Sequence, residues 1–202
     1  MIRNILIGAI ILCLSLFAAE AFAEITVVPQ VGTLTVYAHS GTETLDAETL
    51  ETTASDFKGG DVAVTYDDEA GAVDLEAVEG SSSVVFGIAK LFLDADDSVH
   101  IEYNVDESGT VRYFSIGSAL GDIVVTFPDG SRIVIPEDAS VSLTLLADNN
   151  YDLSVLEGEV EYTDPNGQTR TLTTSSPAIL IQGYGLVPDW RSDEIKRNPA
   201  TP

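Results

Sequence analysis

The residues of this chain that could carry chemistry are two histidines, His39 and His100, and a large surplus of carboxylates, 33 acidic against 9 basic side chains. Two histidines are too few for a three-histidine zinc site, and neither stands in a His-Glu-x-x-His spacing. His100 alternates with Val99 and Ile101, which turns it toward the wet face of a strand, and His39, before Ser40-Gly41, falls at a strand end. No serine sits in a Gly-x-Ser-x-Gly elbow, and there is no glycine-rich phosphate loop. Carboxylates this abundant can be paired on paper as the acid and base of a glycosidase, but only a groove holding two of them about 5 to 9 Å apart would give such a pair meaning. The clusters worth naming are Asp94, Asp96 and Asp97, and Asp67, Asp68 and Glu69. Each puts several oxygens in a turn, where backbone carbonyls could complete the shell of a hard cation such as calcium, although neither has the EF-hand spacing. Asp94, Asp96 and Asp97 are therefore the candidate metal ligands and calcium the candidate cofactor. No catalytic set is indicated, and the chain reads as a protein that is not an enzyme.

The formal net charge is −24, and the acids are spread along most of the chain. Such a surface is repelled by phosphate backbones and anionic lipid, so nucleic acid is not an expected partner. The amino terminus has one early cation, Arg3, an apolar run from about Ile5 to Phe17, and Ala21-Phe22-Ala23 with small residues where a signal peptidase cuts. That is the pattern of a secretory signal peptide over residues 1–23, and about 13 apolar residues are too few to span a bilayer core of about 30 Å. Cleavage there leaves a mature chain that is exported to the periplasm or beyond the cell and is not membrane-spanning. The only cysteine, Cys13, lies inside the apolar run, so the mature part has neither a disulfide nor a thiol ligand. Its stability must come from a core.

From about residue 60 onward apolar residues recur at every second position in short runs, as in Val62-Val64-Tyr66, Val99-Ile101-Tyr103, Ile123-Val125-Phe127, Val141-Leu143-Leu145 and Tyr151-Leu153-Val155. This is the strand period, with one face buried and one wet. Between the runs stand Glu107-Ser108-Gly109, Asp129-Gly130, Asp148-Asn149-Asn150 and Asn166-Gly167, residues that accept positive φ. The expected fold is all-β, an antiparallel β-sandwich or roll of short stacked strands. Residues 24–60 are expected to hold a first strand, Leu34 to Tyr37, and a polar loop or short helix over residues 41–60. Residues 61–187 form the main β domain, and residues 188–202, with Pro188, Trp190, Arg191, Lys196 and Arg197, form a tail. Trp190, the lone tryptophan, is suited to clamp that tail onto the sandwich. Inside the main domain a repeat is visible. Ser98 to Tyr103 matches Ser140 to Leu145, and Gly121-Asp122-Ile123-Val124-Val125 matches Gly158-Glu159-Val160-Glu161-Tyr162. Stacked copies of one unit would share a core that neither could bury alone.

The stretch from Val125-Thr126-Phe127-Pro128-Asp129-Gly130-Ser131 through Ile133-Val134-Ile135 to Ala139-Ser140-Val141-Ser142-Leu143 resembles the periplasmic domain of FecR-type proteins. Leu153 to Tyr162, with its Glu157-Gly158-Glu159 turn, continues the resemblance down to Thr171-Leu172-Thr173-Thr174, and Phe86 to Leu93 is a weaker copy. The resemblance implies a stack of antiparallel strands that binds or relays a signal without catalysis. FecR-type sigma regulators carry a cytoplasmic segment and a membrane span ahead of this domain, whereas here a cleavable signal peptide leads almost directly into strands. Fold and binding character carry over; anti-sigma activity does not.

These readings point to a non-catalytic binding or signal-relay module of the bacterial cell envelope, partnered by another envelope or extracellular protein or a glycan. A structural or assembly protein whose strand edges pair between subunits is the alternative, followed by a carboxylate-based glycan hydrolase.

Overall fold

A computed structural model describes residues 24–38, 41–46, 51–55, 60–67 and 69–183. The expected signal peptide, Cys13, His39, Trp190 and the tail lie outside the described residues. Within them the chain is all-β, as its alternation predicts, and no helix among them is long and apolar enough to cross a membrane. The strands are β1 (Glu24–Gln30), β2 (Thr33–Ala38), β3 (Gly41–Leu45), β4 (Glu51–Ser55), β5 (Gly60–Asp67), β6 (Ala72–Gly80), β7 (Ser82–Phe86), β8 (Ala89–Leu93), β9 (Ser98–Val105), β10 (Val111–Leu120), β11 (Ile123–Thr126), β12 (Arg132–Ile135), β13 (Ser140–Leu145), β14 (Tyr151–Glu157), β15 (Glu159–Thr163), β16 (Thr169–Thr173) and β17 (Ile179–Ile181).

They form two sheets. Sheet A runs β16-β15-β12-β11-β8-β7-β1-β2-β3 and sheet B runs β17-β14-β13-β10-β9-β6-β5-β4. From β5 onward the chain lays a hairpin in sheet B, crosses to lay a hairpin in sheet A, and crosses back. Because each hairpin starts and finishes at the same end, the hairpin turns gather at one end of the stack and the crossovers at the other. Every pairing is antiparallel except β1 with β7, which is parallel. The inner faces of both sheets feed one core, in which Ile25, Phe86, Leu91, Ile101, Phe114 and Ile133 are all fully buried. Phe86 stands at its aromatic centre, with ring centroids 5.6 Å from Tyr103 and 5.5 Å from Phe114.

The sequence repeat has a structural counterpart. β9 and β13 are each the first strand of a sheet B hairpin, and β11 and β15 each the first strand of a sheet A hairpin. Turns repeat with them: the N–H groups of Asp106, Phe127, Leu146 and Asp164 each donate to the carbonyl four residues on. The fourth residue of each turn, Gly109, Gly130, Asn149 or Gly167, has φ between 62° and 86°. That is a type I turn closed by one left-handed residue, which explains why Gly and Asn mark these places in the sequence.

The region 41–60 differs from the expected polar loop or short helix, because β3 and β4 extend the two sheets there. Threonine-rich segments such as Gly41–Leu45 lack apolar alternation. Only Leu45 reaches the core, so the strand signal was carried by β-branched propensity rather than by period.

Candidate interaction surface

At the crossover end, Asp94, Asp96 and Asp97, with Ala95, form the four-residue link from β8 to β9. The Asp97 N–H donates to the Asp94 carbonyl at 3.0 Å. Asp96 takes the left-handed conformation, φ 71°, that aspartate tolerates better than most residues. The carboxylates serve the link itself: Asp97 Oδ2 accepts from the Asp94 N–H at 2.7 Å, and Asp94 Oδ1 accepts from the Ser81 hydroxyl at 2.8 Å. The next crossover, Pro136-Glu137-Asp138-Ala139, is built the same way, with Ala139 N–H on the Pro136 carbonyl at 3.0 Å and Asp138 at φ 63°. Both links dock on the neighbouring sheet B strand, through Ala77 with Asp96 and Asp97 and through Ser118 with Asp138 and Ala139. The recurring geometry thus needs an aspartate only at its third place. Among the described residues no three His, Cys, Asp or Glu side chains are grouped to hold a metal ion. Of the second acidic cluster, Asp67 caps its own turn by accepting from the Ala70 N–H at 3.0 Å, Glu69 is exposed, and Asp68 lies outside the described residues.

The outer face of sheet B is acidic. Pairing sets Thr65, Asp74, His100 and Gly117 in one row and Asp67, Ala72, Glu102 and Ser115 in the next. His100 stands where alternation placed it, 45 % exposed, its Nδ1 2.6 Å from Asp74 Oδ1 and its Nε2 3.9 Å from Glu102 Oε1. Beside it, small side chains at Ala63, Thr65, Ser98 and Ala119 leave a shallow depression of about 190 Å³, with Asp74 and Glu76 on its wall.

Sheet A presents a different outer face. Register places Ser83, Phe92, Val124 and Val134 in one row and Val85, Lys90, Thr126 and Arg132 in the adjacent row. No outward position of β7, β8, β11 or β12 is acidic, on a chain with 33 acids, and two of its nine lysines and arginines stand there. Lys90 Nζ lies 5.7 Å from the Phe92 ring centre, a distance at which the cation is held by the ring face. Val85, Phe92, Val124 and Val134 are all partly exposed. The outer face of sheet B is thus acidic, whereas that of sheet A carries a partly exposed apolar patch with two cations on β8, β11 and β12, bounded by Glu161 on β15 beside Val134.

No family model and no curated protein matches this chain. Among solved structures, similarity is found to the TCP10c domain of Drosophila melanogaster Sas-4, at 14% identity over 74% of this chain and 98% of that one, with a TM-score of 0.15. It is also found to the TCP10 domain of Danio rerio CPAP in complex with a peptide of Danio rerio STIL, at 15% identity over 77% and 96%, with a TM-score of 0.14. Superposition this poor carries no argument about fold or partner.

The sheet A face escaped the reading of the sequence, although a signal for it exists. Leu91-Phe92-Leu93, Ile123-Val124-Val125 and Ile133-Val134-Ile135 are continuous apolar runs. A strand with one wet face alternates, whereas a strand covered on both faces is apolar throughout. Neighbouring sheet B strands, such as Ser98-Val99-His100-Ile101-Glu102, do alternate.

Proposed function

We propose that this chain is a non-catalytic, exported binding or signal-relay module of the bacterial envelope, and that it docks its partner on the outer face of sheet A. The observation that carries the reading is the row Phe92, Val124, Val134 beside Lys90 and Arg132, a partly exposed apolar patch with two cations, bounded by Glu161, on a chain that is otherwise strongly acidic. Interfaces that release on demand are apolar at the centre and use charge to choose the partner. The partner that suits this face is a protein with apolar side chains flanked by carboxylates. A glycan suits it less, because Phe92 is the one aromatic ring in the row and sugar platforms are built from several. The resemblance of Val125 to Leu143 and of Leu153 to Tyr162 to FecR-type periplasmic domains supports a binding role, and the signal-like residues 1–23 support export.

The test is a photo-crosslinking amino acid placed at position 92 or, as control, at position 102 on sheet B, in cells making the full chain. The reading expects a discrete protein adduct from position 92, lost on Val134→Asp, and none from position 102. Adducts from position 102 alone would refute it, as would turnover of polysaccharide or ester substrates by the purified chain.

A further inference from the structure

Each layer of the stack adds its first strand to the last strand of the layer before: β9 on β6, β13 on β10 and β17 on β14 in sheet B, β11 on β8 and β15 on β12 in sheet A. At the carboxyl-terminal end this stops part-way, because β17 opens a layer that has no second sheet B strand among the described residues. Among the described residues the edge strands there are β16 and β17, and at the other end β3 and β4. A strand edge is a row of unsatisfied N–H and C=O groups that templates another strand.

The two sheet A edges match. In β16 the core-facing residues are Arg170 and Leu172, and Thr169, Thr171 and Thr173 face out. In β3 the core-facing residues are Glu43 and Leu45, and Thr42 and Thr44 face out. Arg170 and Glu43 are both exposed, each at the rim of the core. Chain direction also agrees. Following the hairpins, β16 runs toward the crossover end and β3 away from it, and β17 and β4 are likewise opposed. A second copy added by translation along the stack therefore meets the first antiparallel in both sheets, as every hairpin neighbour does. A register that sets Arg170 opposite Glu43 also sets Thr169 opposite Thr44 and Thr171 opposite Thr42, and keeps inner residues with inner.

We propose that the chain associates head to tail with copies of itself, β16 of one molecule pairing with β3 of the next while β17 meets β4. The interface is heterologous and does not close on itself, so the product is a linear series rather than a symmetric dimer. It involves only two short strand pairs, so it is weak and concentration-dependent. This proposal is independent of the sheet A docking face, which lies on the flank of such a series.

The test is sedimentation velocity on the purified full chain from micromolar to near-millimolar concentration, with two charge variants. Wild type is expected to form a ladder of species. Arg170→Glu, which sets two carboxylates against each other across the junction, and Glu43→Arg, which sets two guanidinium groups against each other, should each weaken association about threefold to tenfold. An equimolar mixture of the two variants should recover part of it, because the junction at which both partners carry the wild-type residue at the facing position is again an opposite-charge pair. Arg170 also lies over the Tyr162 ring and Glu43 accepts a hydrogen bond from Thr52, so a local disturbance of either variant would not be cured by mixing. A strict monomer at all concentrations, a closed dimer, or a mixture no better than its components would overturn the proposal. So would a chain that associates only after residues 184–202 are removed, which would assign the edge to the chain's own tail.

Discussion

The Asp97 carboxylate fills the space that a side chain at position 121 would need: a Cβ placed on Gly121 would come within 1.8 Å of Asp97 Oδ1. One layer on, a Cβ on Gly158 would meet the Ala139 Cβ at 2.8 Å. Both glycines have positive φ, 79° and 73°, and each follows by two residues a bulge in its sheet B strand, at Ala119 and Leu156. These are the points where the chain leaves sheet B for sheet A, and the two crossovers of a layer touch there. Gly121→Ala and Gly158→Ala are each expected to cost about 2–4 kcal/mol, combining left-handed strain with overpacking. Gly130→Ala has the strain, φ 86°, and open space around it, and should cost about 1–2 kcal/mol. Urea melts of the three variants check the order.

Acid titration should separate two aspartates. Burial pushes the Asp97 carboxyl above the ordinary value of 3.8, against the pull of the Asp94 backbone hydrogen bond. Ionised Asp97 therefore subtracts stability as pH rises through its raised folded value. Asp97→Asn is expected to melt higher than wild type at neutral pH and to converge with it below pH 3.8. Asp106 is the reverse case. The Ser108 hydroxyl first, then the Thr110 N–H, hold its carboxyl well below 3.8, so it contributes stability above that pH and loses it as the pH falls toward the folded value. Asp106→Asn is expected to melt lower at neutral pH and to show a flatter acid limb.

Calcium is expected to leave the melting temperature unchanged at millimolar concentration, because the Asp94 and Asp97 carboxylates are already committed to the Ser81 hydroxyl and the Asp94 N–H. Asp94→Ala should cost no more than about 0.5–1.5 kcal/mol, the worth of one hydrogen bond. A calcium-dependent rise in wild type that disappears in Asp94→Ala would restore these residues as ligands.

Phe86 and Phe92 separate core from surface. Phe86 is fully buried among Tyr103 and Phe114, and Phe86→Ala is expected to cost about 3–5 kcal/mol. Phe92 lies on the outer face of sheet A, and Phe92→Ala should cost about 1 kcal/mol in the isolated chain. Chemical denaturation of both variants reads the difference.

Local structure was legible and long-range arrangement was not. Val99-Ile101-Tyr103 and Val141-Leu143-Leu145 announced strands, and Gly109, Gly130, Asn149 and Gly167 announced their turns, because both signals are carried by neighbours in sequence. Which sheet each hairpin joins is written in the crossovers, at Gly121 and Gly158 and at Asp96 and Asp138, and not in the period of the strands themselves. The parallel pairing of β1 with β7 joins residues far apart in sequence and leaves no local mark. Asp94, Asp96 and Asp97 suggested a cation because carboxylates in a turn can do either job. In the structure the Asp94 and Asp97 carboxylates hydrogen-bond within the link and to Ser81, and the link with Pro136 and Ala139 reaches the same backbone geometry with one aspartate.

The most direct measurement of the central claim uses the lack of cysteine after Cys13. Single cysteines at Phe92 and Val134 on sheet A, and at Glu102 and Thr144 on sheet B, would be labelled with a water-soluble maleimide in the purified chain and in the cells that make it. All four positions are expected to label in the purified chain, and positions 92 and 134 alone are expected to become protected in the producing cells. Equal labelling of both faces there would contradict docking on sheet A.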